Sequence, residues 1–207
     1  RTGFVSESDM AEGIRRLKEI NCNIIVDDIT HATAPFYREG LISKAIKEVT
    51  SQGVLYFTSA GNFASKSYEG KFSPSAIPDG GVIPLTGGQP LQKLFLKGRG
   101  VSDYMLILQW DDDFYSAGEV DGADYDLDVY LTDYTGKNIL GYNRVNTGSD
   151  PLEIFPFRVS DATTAYLKIV KASGPDAGAD VSFKYILFRG NVEIDGNPNA
   201  TTIIGHA

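Results

Sequence analysis

Cysteine is nearly absent from this 207-residue chain, which has one, Cys22, and therefore cannot form an internal disulfide. Because Cys22 stands at the start of an apolar run, we expect a buried thiol rather than a nucleophile. No apolar run approaches the roughly 20 residues of a membrane span. Basic residues number 19 against 27 acids, so the net charge is −8 and the basic face needed for nucleic-acid binding is missing. These absences leave an ordinary globular composition with no membrane or nucleic-acid partner.

The first 70 residues alternate between helical and strand patterns. Residues 6–20 and 38–52 each carry an apolar stripe at helical spacing, and Gly53 stands where a C′ glycine ends a helix. Two short apolar runs, 22–29 and 54–60, follow these helices. The alternation predicts a βαβ unit whose two strands are parallel and buried.

From residue 92 the apolar period changes to two. The preceding segment, 74–90, holds four prolines and four glycines in 17 positions and is typical of a connector. Seven alternating segments separated by Gly, Asp and Asn turns then predict an antiparallel sandwich or jelly roll. The predicted strands are 92–97, 103–110, 124–132, 137–142, 152–158, 164–171 and 181–189.

The predicted fold class is therefore α/β, with a partial parallel sheet, plus an inserted all-β antiparallel sandwich. An insertion explains why the strand rhythm stops before the end of the chain. The predicted divisions are an α/β domain at 1–72, a linker at 73–91, the sandwich at 92–192 and a return to the α/β domain at 193–207.

Nine acids and no base occupy residues 111–133. Strict alternation from Asp124 predicts that Asp124, Asp126 and Asp128 face one side of a strand, which the Asp111–Asp113 loop can approach if the strands are neighbours. Calcium takes six to eight oxygen ligands, and the spacing does not fit an EF-hand. A candidate calcium site therefore comprises Asp111, Asp113, Asp124 and Asp126. A solvated acidic face is the alternative.

The second predicted parallel strand stops abruptly at Ser-Ala-Gly-Asn, residues 59–62. Ligand sites gather at the carboxyl ends of strands in open α/β sheets. Gly61 permits positive φ or a close backbone approach, and Asn62 held there can aim its amide at a developing oxyanion. A plain turn is the alternative, because asparagine tolerates the left-handed conformation.

The segment IIVDDITHATAPFYREGLISKAIKEVTSQGVLYFTSAGN, at 24–62, resembles the middle of a subtilisin-like serine protease. In that family a strand and a helix precede a second strand that ends in Ser-Ala-Gly-Asn. The likeness spans roughly residues 9–70 and resumes near the C-terminus, at NATTIIGHA. It implies that Asn62 is a catalytic residue, the side-chain donor of the oxyanion hole. The substrate-binding residues that it implies are Ser59, Ala60 and Gly61 on the pocket floor, with Ile29, Thr30 and His31 beside the substrate-pairing segment.

The same resemblance implies a protein or peptide substrate, no required cofactor, and a secreted or cell-envelope location. Calcium is a candidate ligand only through the acidic residues.

Several of the family's motifs are missing. Asp27 and Asp28 lack the Asp-Ser/Thr-Gly setting of its catalytic aspartate, His31 and His206 lack the His-Gly-Thr-His setting, and no Gly-Thr-Ser-x-Ala nucleophile motif occurs. The chain also begins with Arg1 rather than methionine. We therefore expect a section of a longer, processed protein that hydrolyses nothing by itself.

The stretch at 108–139 resembles the jelly-roll, pre-peptidase-like accessory domains of secreted subtilases. Trp110, the acids after it and the DYDLDVYL pattern carry this likeness, and we expect Trp110 to lie in the core. A second hypothesis is a non-enzymatic binding module. It would be a calcium-dependent β-sandwich that binds glycans or proteins and carries a degenerate α/β remnant.

Overall fold

A computed structural model describes residues 6–196. No helix within this range is long and apolar enough to cross a membrane. Its helices are α1 (Glu7–Glu19) and α2 (Leu41–Ser51). Its strands are β1 (Ile24–Asp27), β2 (Leu55–Thr58), β3 (Ser67–Phe72), β4 (Gln92–Leu96), β5 (Ser102–Trp110), β6 (Asp126–Thr132), β7 (Asn138–Tyr142), β8 (Leu152–Val159), β9 (Thr163–Ser173), β10 (Val181–Arg189) and β11 (Val192–Ile194).

Both predicted helices form, and local chemistry sets their ends. Ser6 caps α1: its hydroxyl accepts from the backbone N–H of Asp9, whose carboxylate accepts from the backbone N–H of Ser6. Gly53 follows the last residues of α2 with φ +87°, the left-handed conformation expected of a C′ glycine. The apolar stripes of the two helices pack on each other and on Ile25 of β1.

Strands β1 and β2 lie side by side and parallel, as predicted, with Ile24 opposite Leu55 and Asp27 opposite Thr58. The prediction that both strands are buried is wrong for one face. Four apolar side chains on that face are 55–72% exposed, because α1 and α2 cover only the other face. They are Ile24, Val26, Leu55 and Phe57, here called the open face.

The rest of the described chain is mainly an antiparallel β-sandwich, which confirms the coarse prediction. One sheet has the order β3-β10-β5-β8 and the other the order β11-β4-β9-β6-β7. All seven predicted strands occur, with ends that differ by at most two residues from the prediction. Trp110 is 1% exposed in the core between the sheets, as expected.

The sandwich takes in segments that the sequence pattern assigned elsewhere. β3 pairs with β10, although 67–72 was assigned to the α/β domain, and β11 pairs with β4 beyond the predicted boundary at 192. The predicted linker also packs on the sandwich, since Ile83 is fully buried and donates from its N–H to the carbonyl of Ile169 (2.9 Å). Apolar residues among the prolines make this possible. The predicted return segment, with His206, lies outside the described residues from 197 onward.

The outer face of the four-stranded sheet is covered by the α/β part of the chain. Ile107 and Ile186 are buried there, and Phe36 and Phe63 pack against them. The ring of Phe63 stacks on Phe188 with centroids 5.6 Å apart. The sandwich therefore holds both the segment after β1 and the loop after β2.

Candidate functional site

The carboxyl ends of β1 and β2 meet at one edge of the parallel pair. Asp27, the last residue of β1, is opposite Thr58, the last residue of β2. The predicted substrate-binding segments, 29–31 and 59–61, therefore both start from this edge, which is where ligands bind in open α/β sheets.

Asp27 joins the ends of β1 and β2 through hydrogen bonds, a role that the sequence did not predict. Its carboxylate accepts hydrogen bonds from the hydroxyls of Tyr56 and Thr58 (3.0 Å for Thr58) and from the backbone N–H of Ile29 (3.3 Å). Burial, followed by this bond to Asp27, raises the pKa of Tyr56 well above its usual range, so the phenol stays a donor. A carboxylate at the end of an apolar strand was the available signal.

The Ser-Ala-Gly-Asn loop leaves the edge with its asparagine facing water. Gly61 has φ +73°, the positive value that favours glycine. Asn62 is exposed, and the short turn at Ala64–Lys66 follows it before β3 begins. Phe63, stacked on Phe188, anchors the loop one residue later.

His31 lines a cavity of about 370 Å³. His31 and Thr33 line it with residues from the N-terminal ends of α1 and α2, and the Thr33 hydroxyl donates to Glu7 Oε1 (2.8 Å). The cavity lining does not include Ile29, Thr30 or residues 59–62. His31 thus lines a cavity that does not include Asn62.

The acidic loop after β5 already has a cationic partner, Arg38. The guanidinium of Arg38 lies 2.7 Å from Asp111 Oδ1, 3.7 Å from Asp113 Oδ1 and 3.6 Å from Glu119 Oε1. Two of the four candidate calcium ligands are therefore paired with an arginine from the α/β part of the chain.

The other two candidate ligands, Asp124 and Asp126, differ in environment. Asp124 is exposed, whereas Asp126 is 6% exposed and accepts from the backbone N–H of Asn146 (3.1 Å). Within residues 6–196 no group of three or more His, Cys, Asp or Glu side chains is arranged to hold a metal ion.

The prediction that Asp124, Asp126 and Asp128 share a solvated face is wrong for the last two. Asp128 is 8% exposed, and burial raises its pKa, with the charge of Asp126 adding to the shift. The extra residue at the register shift is Ala172 of β9, so the alternation along β6 is kept. Asp126 loses water because the segment containing Asn146 folds over it.

Glu153 is a carboxylate in the interior of the sandwich. It is fully buried on β8, opposite Leu108 of β5. Burial raises its pKa to about 8; Arg144 opposes this shift, while Asp128 and Asp126 add to it. The sequence did carry an indication of this burial. In LEIFPF, at 152–157, Glu153 lies at the same alternate positions as Phe155 and Phe157, which point into the core.

Comparisons with known proteins identify no family for the chain. No model of a known protein family matches it, and no curated protein matches it. Three matching solved structures come from infectious bursal disease virus. The chain of the T13 viral particle is 18% identical over 68% of this chain, with a TM-score of 0.30. The VP2 subviral particle is 19% identical over 68%, with a TM-score of 0.29. The T=1 particle is 18% identical over 69%, with a TM-score of 0.28.

This chain covers only 32–34% of those viral chains. With TM-scores this low, the likeness supports no inference about fold or function.

Proposed function

We propose that this chain is the part of a secreted subtilisin-like serine endopeptidase that supplies the oxyanion donor Asn62 and one wall of the substrate cleft. The observation that carries the proposal is the parallel pairing of β1 and β2 across α2, with Ser-Ala-Gly-Asn directly after β2. Strand, helix, strand and loop follow one another in the order that the family resemblance requires.

In the proposed reaction the scissile carbonyl of a protein or peptide lies over the Ser-Ala-Gly-Asn loop. A serine, a histidine and an aspartate from outside this chain carry out the acyl transfer, and the Asn62 amide donates an N–H to the oxygen as it becomes negative. Asp27 contributes indirectly, because its bonds to Thr58 and Ile29 hold the two strand ends together. No cofactor is required.

We assign the sandwich to the jelly-roll class of accessory domain. Strands β3, β10, β5 and β8 form one sheet, and β4, β9, β6 and β7 form most of the other. Successive strands mostly alternate between the two sheets, an order that supports two interlocked Greek keys, and β11 adds an edge strand.

The open face is consistent with the proposal. Parallel sheets of α/β proteins are normally covered on both faces. Among residues 6–196, helices pack on one face only, and Val26 on the other is 72% exposed. We expect further polypeptide of the intact enzyme to cover it.

The decisive experiment uses the natural gene product that carries this chain. We expect a fluorophosphonate probe to label it, because such probes react with activated serines. We also expect Asn62→Ala to lower kcat toward peptide substrates by roughly 10²–10³-fold with little change in KM, the known effect of removing one oxyanion donor in a subtilisin.

Asn143→Ala is the matched control, since Asn143 is exposed in a loop of the sandwich. It should leave kcat unchanged. The 207-residue chain alone should show no peptidase activity. A gene product with no reactive serine that instead captures glycans or proteins through the sandwich would replace the protease with the binding module.

A further inference from the structure

The segment between β1 and α2 is held by a side chain of the sandwich. Gln109 of β5 is fully buried, and its Oε1 accepts from the backbone N–H of Phe36 (2.9 Å). Its Nε2 donates to the carbonyls of Ala34 (3.0 Å) and Ala32 (3.4 Å). One amide thus binds three alternate backbone groups of residues 32–36.

The segment between β1 and α2 has little regular secondary structure of its own to fix its conformation. Residues 28–40 contain neither helix nor strand, although the N–H of Ala34 donates to the carbonyl of His31 (3.2 Å). Irregular backbone that is packed against a sheet needs partners for its polar groups, and Gln109 supplies three of them.

Two further contacts bind the same segment to the sandwich. Arg38 pairs with Asp111, 2.7 Å away, and Phe36 packs on the cluster around Ile107 and Ile186. These contacts anchor the end of the segment near α2, whereas Gln109 acts next to His31.

We infer that Gln109 is a positioning residue: the sandwich sets the path of residues 29–36, and thereby one wall of the cleft, through this buried amide. The inference rests on the proposed function for its link to substrate, but the positioning itself concerns this chain alone. The sandwich is then a structural part of the cleft rather than an appended module.

The test measures amide hydrogen exchange in the 207-residue chain with Gln109→Met. Methionine keeps the unbranched length of glutamine but lacks its strong donor and acceptor. We expect exchange of the Phe36 N–H to become about 10- to 100-fold faster, because its acceptor, Gln109 Oε1, is lost. The N–H groups of residues 32–34 should also exchange faster, because the bonds that hold the carbonyls of Ala32 and Ala34 are lost with it. Exchange in β4 and β9, on the other sheet, should not change.

Gln92→Met is the matched control. Gln92 is also a buried glutamine on a sandwich strand, and its amide donates to the carbonyl of Asp195 (2.7 Å) instead of to this segment. It should leave exchange at residues 32–36 unchanged. Equal protection of 32–36 in Gln109→Met and wild type would overturn the inference, as would equal loss in both variants.

Kinetics of the intact gene product separate this inference from the proposed function. If it is a peptidase, Gln109→Met should raise KM for peptides several-fold and leave kcat nearly unchanged, since the residue does not touch the reacting atoms. An unchanged KM would overturn the link to substrate. If Gln109→Met speeds exchange but the gene product has no peptidase activity, the positioning role stands and the proposed protease function is wrong.

Discussion

Glu153 is a buried acid, and its removal from water makes ionisation costly. Of the charged groups that act on it, Asp126 and Asp128 come from β6 and Arg144 from the segment after β7. On its own sheet it faces Leu108 of β5, which offers no compensating charge. The carboxyl group is therefore held in its neutral form through much of the physiological pH range.

This burial predicts a pH-dependent stability. The pKa rises from 4.5 to about 8 on folding, so the unfolded chain loses the proton first, and stability falls as pH increases from about 4.5 to about 8. Glu153→Gln cannot ionise, so its advantage over wild type should grow across that window. Between about pH 4 and pH 9 the gain should be on the order of 5 kcal/mol. Urea denaturation at several pH values measures it.

Glu12→Gln makes the same chemical change at an exposed position of α1 and should leave the wild-type profile unaltered. Carbon-13 NMR of the Glu153 carboxyl group checks the assignment without any substitution. A resonance that titrates near the ordinary value for glutamate would refute the buried neutral acid.

At the scale of elements, β1 and β2 form a sheet that helices cover on one face only. The open face presents Val26 at 72% exposure and Phe57 at 55%, and contiguous apolar surface of this kind promotes association.

Val26→Lys should therefore weaken both association of the 207-residue chain and its binding of an apolar dye. A lysine within the open face interrupts the apolar surface and costs little stability, because the position is already exposed. Light scattering and dye fluorescence measure the two effects.

Val120→Lys is the matched control, because Val120 is 86% exposed in a loop away from the open face. Equal effects of the two variants would show that added charge, rather than loss of the patch, explains the result.

At the scale of the whole molecule, some of the excess acidic residues form ion pairs within the chain. Arg38 from the α/β part neutralises Asp111 and lies near Asp113, and Lys44 of α2 donates to the carbonyl of Ala117 (2.9 Å). Charge pairing thus joins the two parts of the chain where the sequence pattern indicated a metal.

We expect millimolar calcium chloride to change the Tm of the chain by less than about 1 °C, since bound ligand raises stability only in proportion to its affinity for the folded state. An equal concentration of magnesium chloride controls for charge screening. A rise of several degrees that is specific to calcium would restore the four-aspartate site.

Much of the fold was readable from the sequence because its signals are local. Helix stripes, the glycine after α2 and the two-residue alternation of the sandwich strands each depend on neighbours a few positions apart. The same local order located the Ser-Ala-Gly-Asn loop after a parallel strand.

The candidate site was only partly readable, since its supporting contacts join distant residues. Phe36 and Gln109 are 73 positions apart, and Asn146 and Asp126 are 20 apart. The alternation of β5 predicts that Gln109 lies on the outer side of its sheet. It does not predict which part of the chain covers that side. The strand patterns also gave no warning that the segment containing Asn146 would cover Asp126.

The sequence by itself determined the type and order of the elements, because backbone preferences and apolar periods are properties of short stretches. Tertiary structure alone decided which face of the parallel pair stays open, which carboxylates lose water and which amide holds the segment after β1. Burial and hydrogen-bond partners depend on which surfaces meet, and those surfaces come from parts of the chain that no local pattern relates.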